Sequence, residues 1–416
     1  MRLSYTHTRI ACYISYITQA ITINLAPLFF IIFQDRYAVS YSLLGQLVLL
    51  TFVIQLMVDF VSIRLLERIG YRVAAIAAHV LASVGLVLLG VLPPLFADPY
   101  LGILVAVFFY SMGGGMTEVI VSPLVDALPG DAKASSMSLL HSFYSWGQCL
   151  VVLVTTLLLR VLGGEFWAWL PCLWALIPAA NVVLFCLVPV PDMIAAEKNG
   201  NRLSDLFRKP VFYVFILLMI CGGAAEMTMS QWASLFAEKA IGVSKVVGDL
   251  LGPCFFGVLM GLGRVGYGLW GRKIRIAPAL FGCSALTLIC YLLSVFGGLP
   301  IFSLIGCAVC GLGVSLMWPG VLSLSSGKYP MAGAPMFAVL ALAGDLGCSV
   351  GPWFSGIVTD WAKTAHVLPI AGIVGDAEQI AMKYGMLAAT VFPLIMVIVL
   401  AVYLLQEHKE KRISSE

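Results

Sequence analysis

Four acidic residues stand inside long apolar stretches of this 416-residue chain: Asp59, Glu118, Glu226 and Asp345. A charge at the centre of a bilayer costs roughly 2.5–3.5 kcal/mol or more, so each calls for a partner or a task. Glu118 lies in Gly113-Gly-Gly-Met-Thr-Glu118-Val-Ile-Val-Ser-Pro123, with no basic residue within a helical turn. A carboxyl so placed can serve as a protonation switch, or it can hold a neighbouring helix as a neutral acid. Glu226 has Ser230 on its own face one turn on, with Gln231 and Trp232 beside it. Carboxylate, amide and indole together suit a hydroxylated or cationic solute; interhelical hydrogen bonding is the plainer reading. Asp345 has Ser349 one turn on and reads equally as a packing contact or a binding group. Asp59 is followed by Arg64, Glu67, Arg68 and Arg72, which favours a structural and gating charge cluster over a substrate site.

A polar stripe joins these acids. His141, Tyr144, Ser145 and Gln148 are spaced for one helix face. In lipid such a face must meet protein or a cavity. His141 could shuttle protons or donate a plain hydrogen bond. Asn24, Tyr16, Gln231, Trp232 and Trp318 are further candidates for a lined cavity, since aromatic faces stack on sugar rings and amides hold hydroxyls. Packing is the default for each. His79, near the middle of its span, receives no role.

Several motifs carry no chemistry in this setting. Cys307 and Cys310 form a C-x-x-C without a second pair or a nearby histidine, so neither a metal site nor a cofactor is expected. Gly261-Leu-Gly263-Arg-Val-Gly266 matches G-x-G-x-x-G but follows no strand. Gly347-Cys-Ser349-Val-Gly351 matches G-x-S-x-G but sits mid-helix, where a nucleophile elbow cannot form. An enzyme is therefore not expected.

The elements that must position these residues are set by composition. The chain is 61% hydrophobic and 11% charged, with mean hydropathy +1.00. Soluble domains carry about 25% charged residues, so a soluble globule is excluded. Net charge is +3, too small to imply a nucleic-acid partner. A helix needs about 20 apolar residues to span a bilayer. Twelve stretches qualify, near 8–33, 41–66, 71–91, 99–127, 133–160, 165–188, 210–237, 246–270, 276–297, 300–326, 333–360 and 380–405. The first is too long and too polar, with Gln19 and Asn24, to be a cleaved leader.

Six stretches precede a charged loop at 189–209 and six follow it. This predicts an all-α membrane protein of two six-helix bundles, 1–188 and 210–416, the second ending in a short tail. Leu203, Leu206 and Phe207 share a face, which predicts a short interfacial helix in the linker, with Pro210 opening the seventh span. Of the 24 Lys and Arg residues, Arg36, Arg160, Lys239, Lys245, Lys363 and Lys383 fall on one side and the rest on the other. The positive-inside rule then places both termini and the linker in the cytoplasm, and the protein in the cell membrane. The longest outer loop, 361–379, has no legible role.

The halves echo each other. Leu56-Met57 and Arg72 match Leu259-Met260 and Arg275; Gly115 to Pro123 has the spacing of Gly311 to Pro319; Gly147 and Gly347 stand alike. Offsets of about 200 residues are what a duplicated six-helix unit leaves.

The chain resembles the major facilitator superfamily, and within it the fucose permease-like group of sugar–proton symporters. The similarity is sharpest at Gly115-Met-Thr-Glu118-Val-Ile-Val-Ser-Pro123, at Leu140-His141-Ser-Phe143-Tyr144-Ser-Trp146-Gly147, at Gly263-Arg264 and at Trp318-Pro319-Gly-Val-Leu-Ser323-Leu324. Glu67-Arg68-Ile-Gly70-Tyr71-Arg72 is similar to the superfamily's cytoplasmic gating loop. The resemblance implies that Glu118 is the protonatable carboxylate of a central cavity and that His141 and Tyr144 lie near a sugar site. Two departures stand out. The group's second acid, in its first span, falls at Pro27 here, with Asn24 one turn away. Glu226 and Asp345 are acids where the group has none, and Glu226 is the candidate for a relocated second acid.

The expectation is a monomeric secondary transporter in the lipid bilayer that moves a small polar solute with protons by alternating access. Glu118 and Glu226 would couple the proton. Asn24, His141, Tyr144, Gln148, Gln231, Trp232, Trp318 and Asp345 would contact solute. Asp59, Arg64, Arg68, Arg72 and Arg264 would gate. Efflux of an amphipathic or cationic compound is the rival transport reading, and a transport-inactive solute sensor the rival of another class.

Overall fold

The computed structural model describes residues 4–128, 133–191, 206–270, 275–329, 333–367, 370 and 372–415. Within these helices some side chains fall outside the description, those of Asp59, Arg64 and Glu67 among them. The gating roles of Asp59 and Arg64, residues 203–205 of the interfacial helix and part of the 361–379 loop therefore lie outside the described residues.

Among the described residues every regular element is helical. The chain divides into two compact units, Met1–Ala196 and Glu197–Glu416. The first holds span one (Tyr5–Tyr37), two (Tyr41–Val58), three (Arg68–Val91), four (Pro99–Val125), five (Leu140–Leu162) and six (Trp169–Leu187). The second holds span seven (Pro210–Lys239), eight (Lys245–Tyr267), nine (Ile276–Phe296), ten (Pro300–Lys328) and twelve (Ala377–Lys409). These eleven are long and apolar enough to cross a bilayer. Span eleven is the helix Gly333–Thr364, 32 residues long, whose glycines, Asp345, Ser349 and Pro352 dilute its apolar character.

Local chemistry sets the breaks. Span one is interrupted after Asn24 by a 3-10 turn at Ala26–Phe29, where Pro27 has no N–H to continue the ladder. It ends at Ala38, whose left-handed backbone (φ 52°) closes the last turn. Ser40 then caps span two, its hydroxyl accepting from the Leu43 N–H at 3.3 Å. Spans two and three meet at Gly70, with φ 74° and ψ 162°, a conformation essentially restricted to glycine. Asp98 caps span four through the Tyr100 N–H, with Pro99 as the first helical residue. Span eight carries a wide turn at Leu250–Cys254 around Gly252 and Pro253. Arg72 donates to the carbonyls of Phe185 and Cys186 at 2.9 and 3.1 Å, in the last turn of span six, where a cation meets unpaired carbonyls and the negative end of the helix.

The repeat in the sequence reappears as packing. A Cβ on Gly147 would press on Ile17 and Ala20, so span five lies against span one; a Cβ on Gly347 would overlap Ile220 and Ala224, so span eleven lies against span seven. Likewise Gly115 of span four faces Gln55 of span two, and Gly311 of span ten faces Phe256 of span eight. Corresponding glycines thus admit the corresponding neighbours in both units, by the small-residue contacts through which helices associate in lipid.

Candidate functional site

In the first unit, the polar residues of spans one, four and five converge. Glu118 of span four accepts from Gln19 Nε2 of span one at 2.7 Å. One turn on, Ser122 shares a hydrogen bond of 3.0 Å with the Tyr16 hydroxyl. The Tyr16 ring meets His141 of span five edge-on, 5.1 Å between centroids. Asn24 Nδ2 donates to Ala20 O at 3.0 Å and lies 3.4 Å from the Tyr144 hydroxyl. Gln148, a turn beyond Tyr144, is buried, whereas His141 is exposed and Glu118 and Tyr144 are half-buried. Glu118 makes no ion pair among the described residues; its partner is a neutral amide.

Close approach makes this possible. Gly114 leaves room for Thr22 Oγ1 and the Gln55 amide, which a Cβ would meet at 2.8 and 3.4 Å. Gln55 is buried, and neither end of its amide has a hydrogen-bond partner among the described residues. Buried polar groups without partners are uncommon in proteins and favour sites that take a ligand or water. Gln19, Gln55 and Ser122 were not singled out by sequence. The available signal was an amide inside an otherwise apolar span.

A second polar junction lies deeper in this unit. His79 is fully buried, its Nδ1 2.7 Å from the Ala75 carbonyl and its Nε2 2.9 Å from Asn181 Nδ2 of span six. Asn181 also donates to Ala11 O at 3.0 Å and reaches Ser15 Oγ at 3.1 Å. The side-chain partner of His79 thus comes from span six, and that partner is held in turn by span one. Asn181→Leu would orphan several buried acceptors at about 1–3 kcal/mol each. It is expected to lower the melting temperature of purified protein by several degrees, and Asn181→Asp should do no better, because an ionised carboxylate cannot donate to these acceptors; a Leu variant that melts like wild type would show that the junction adds no stability.

In the second unit, Glu226 of span seven is paired with Arg264 of span eight, Oε1 to Nη2 at 3.4 Å. Arg264 and Glu226, expected in separate gating and coupling roles, stand together. Trp232 is buried and donates to the Pro352 carbonyl of span eleven at 3.1 Å. Gln231 turns along its own helix, its Nε2 3.9 Å from Met227 Sδ. Ser349 donates to the Asp345 main-chain carbonyl at 2.8 Å, and Asp345 itself is 5% exposed. The Trp318 ring covers Gly344. Arg68 is exposed. Asp249, also unremarked in sequence, is fully buried, held by Ser234 and by Lys245 at 3.2 Å. Among the described residues no cluster of His, Cys, Asp and Glu has the makings of a metal site.

Two units of six spans, each with glycine-mediated packing and buried polar groups, define a multi-pass membrane protein. The chain belongs to the Major Facilitator Superfamily, whose sequence profile matches residues 12–352. Solved structures with the same fold include a nucleoside transporter, NupG (TM-score 0.75, 10% identity, 95% of this chain and 98% of that one). A D-xylose-proton symporter aligns with TM-score 0.74 and 15% identity over 93% of this chain and 97% of that one. The E. coli fucose:proton symporter FucP aligns with TM-score 0.59 and 17% identity over 94% and 99%.

Proposed function

We propose that this transporter is a proton-coupled symporter of a small hydroxylated solute, with a monosaccharide as the solute class. The observation that carries the reading is Glu118, a half-buried carboxylate within a span, held at 2.7 Å by the neutral Gln19 amide. A carboxylate without a cationic partner in lipid is costly when charged, so its proton occupancy is tied to the state of the span around it. Asn24, Tyr144, His141 and Gln148 supply donors and acceptors for hydroxyls, and the Tyr16 ring an apolar face. The two sugar–proton symporters that share the fold support the same class. Transport proceeds by alternating exposure of the site to the two sides of the membrane, with proton and solute favouring the same exchange. The excess of basic residues in one set of loops supports cytoplasmic termini and a cell-membrane location.

Export of an amphipathic or cationic compound, with Glu226 and Asp345 as counter-charges, is the weaker reading, because Glu226 is paired with Arg264. The test is the external pH of proteoliposomes as single sugars are added. Alkalinisation with a sugar is the expected result; silence across a panel of neutral monosaccharides would reject sugar symport.

A further inference from the structure

The pairing of Glu226 with Arg264 leaves the guanidinium mostly unused. The contact is a single one, Nη2 to Oε1 at 3.4 Å, and Arg264 Nε is buried with no hydrogen-bond partner among the described residues. The fork of donors that would grip a carboxylate through two parallel bonds is thus engaged at one tip only. The Arg264 side chain is 26% exposed and that of Glu226 8%. Gly263 brings this turn of span eight against Ser315 and Leu312 of span ten.

We infer that Arg264 binds the carboxylate of an anionic solute, and that a proton taken up by Glu226 releases the guanidinium to do so. The inference rests on the symport reading above and extends its solute class from neutral sugars to hydroxylated monocarboxylates such as hexuronates and aldonates. The guanidinium is charged at every physiological pH. When Glu226 is ionised the pair is neutral within itself. When Glu226 is protonated, Arg264 is left as an uncompensated charge inside a span, and an anion restores neutrality where a neutral hydroxyl cannot. One proton bound at Glu226 and one monoanion bound at Arg264 leave the pair's net charge unchanged.

The surroundings of Glu226 hold no competing cation among the described residues. Span ten presents the Cys310 thiol to it. Span nine presents Tyr291, whose hydroxyl is taken by the Ala225 carbonyl at 2.7 Å. Span eleven, packed on Gly223 through Gly344 and Cys348, carries Asp345, and span twelve presents Met396 to Gly222.

The experiment is binding of D-glucuronate, D-gluconate and D-glucose to the purified full-length protein by calorimetry between pH 5 and 8, beside uptake in proteoliposomes. Affinity for at least one of the acids should rise as pH falls, by up to about tenfold per pH unit for one linked proton, whereas that for glucose should not follow the same course. Glu226→Gln should bind the acid with affinity independent of pH. Arg264→Gln should lose at least about tenfold, and Arg264→Lys should recover only part, because it restores the charge without the fork. The double variant Glu226→Gln/Arg264→Gln removes both charges together and controls for folding; it should be stable and fail to bind the acid. Neither acid binding, or acid binding unchanged in a folded Arg264→Gln or double variant, would overturn the assignment. The two readings fail separately. Loss of coupling at Glu118 leaves this pH-linked binding intact, and loss of the anion site leaves Glu118-dependent accumulation of neutral sugars intact.

Discussion

Glu118→Gln is expected to abolish proton-driven accumulation of a neutral sugar while leaving exchange of labelled for unlabelled sugar within a few-fold of wild type. The substitution keeps shape and an oxygen able to accept from Gln19, whose amide sits 2.7 Å from the native carboxylate. What it removes is the ability to take up and release a proton. A gradient of one pH unit is worth about 1.4 kcal/mol per proton, a tenfold solute ratio at equilibrium. The accumulation ratio should therefore fall from about tenfold per pH unit to one, with the rate of counterflow largely preserved. Uptake into proteoliposomes with and without an imposed gradient gives both numbers. A variant that still concentrates solute would show that the coupling proton is held elsewhere, and Glu226 would be the next residue to neutralise.

The largest effect on stability should come from Gly347→Ala. In span eleven this glycine lies on span seven, where an added Cβ would overlap the Ile220 carbonyl and come within 2.9 Å of the Ala224 nitrogen. Both obstacles are backbone and cannot turn aside as a side chain would. Overpacking usually costs about 1–3 kcal/mol, and a clash with two main-chain groups belongs at or above the upper end. The expected result is a loss of folded yield in detergent or a melting temperature lowered by roughly ten degrees. Gly282→Ala is the matched control: it too is a helical glycine in a span, but nothing lies within 4 Å of its Cβ position. It should stay within about 0.5 kcal/mol of wild type. Equal melting of the two variants would mean that spans seven and eleven can separate without loss, against the close approach through Gly223 and Gly351 beside Gly347.

The sequence by itself determined the spans and the inventory of groups within them. A backbone in lipid must satisfy its hydrogen bonds locally, so each crossing leaves a long apolar run that can be counted without knowing its neighbours. The breaks are local too: Pro27 within span one, Gly70 between the helices of spans two and three and Pro210 at the start of span seven act through their own backbones. The same holds for the presence of Glu118, Glu226, Asp345 and the span-five stripe, and for the glycine spacing shared by the two halves.

Only the tertiary structure decided which groups meet. Gln19 and Glu118 are 99 residues apart, His79 and Asn181 102 apart, Glu226 and Arg264 38 apart. Glu226 looked lone beside Ser230 and Gln231, and Arg264 looked like one member of a gating set, because no periodicity within one helix reveals the face of another. The physical reason is that these helices are apolar almost all round. A soluble helix advertises its buried face by contrast with a polar one, but a span in lipid shows little such contrast, so its rotation and register are fixed by close packing at small residues and by the few polar groups that find each other across it.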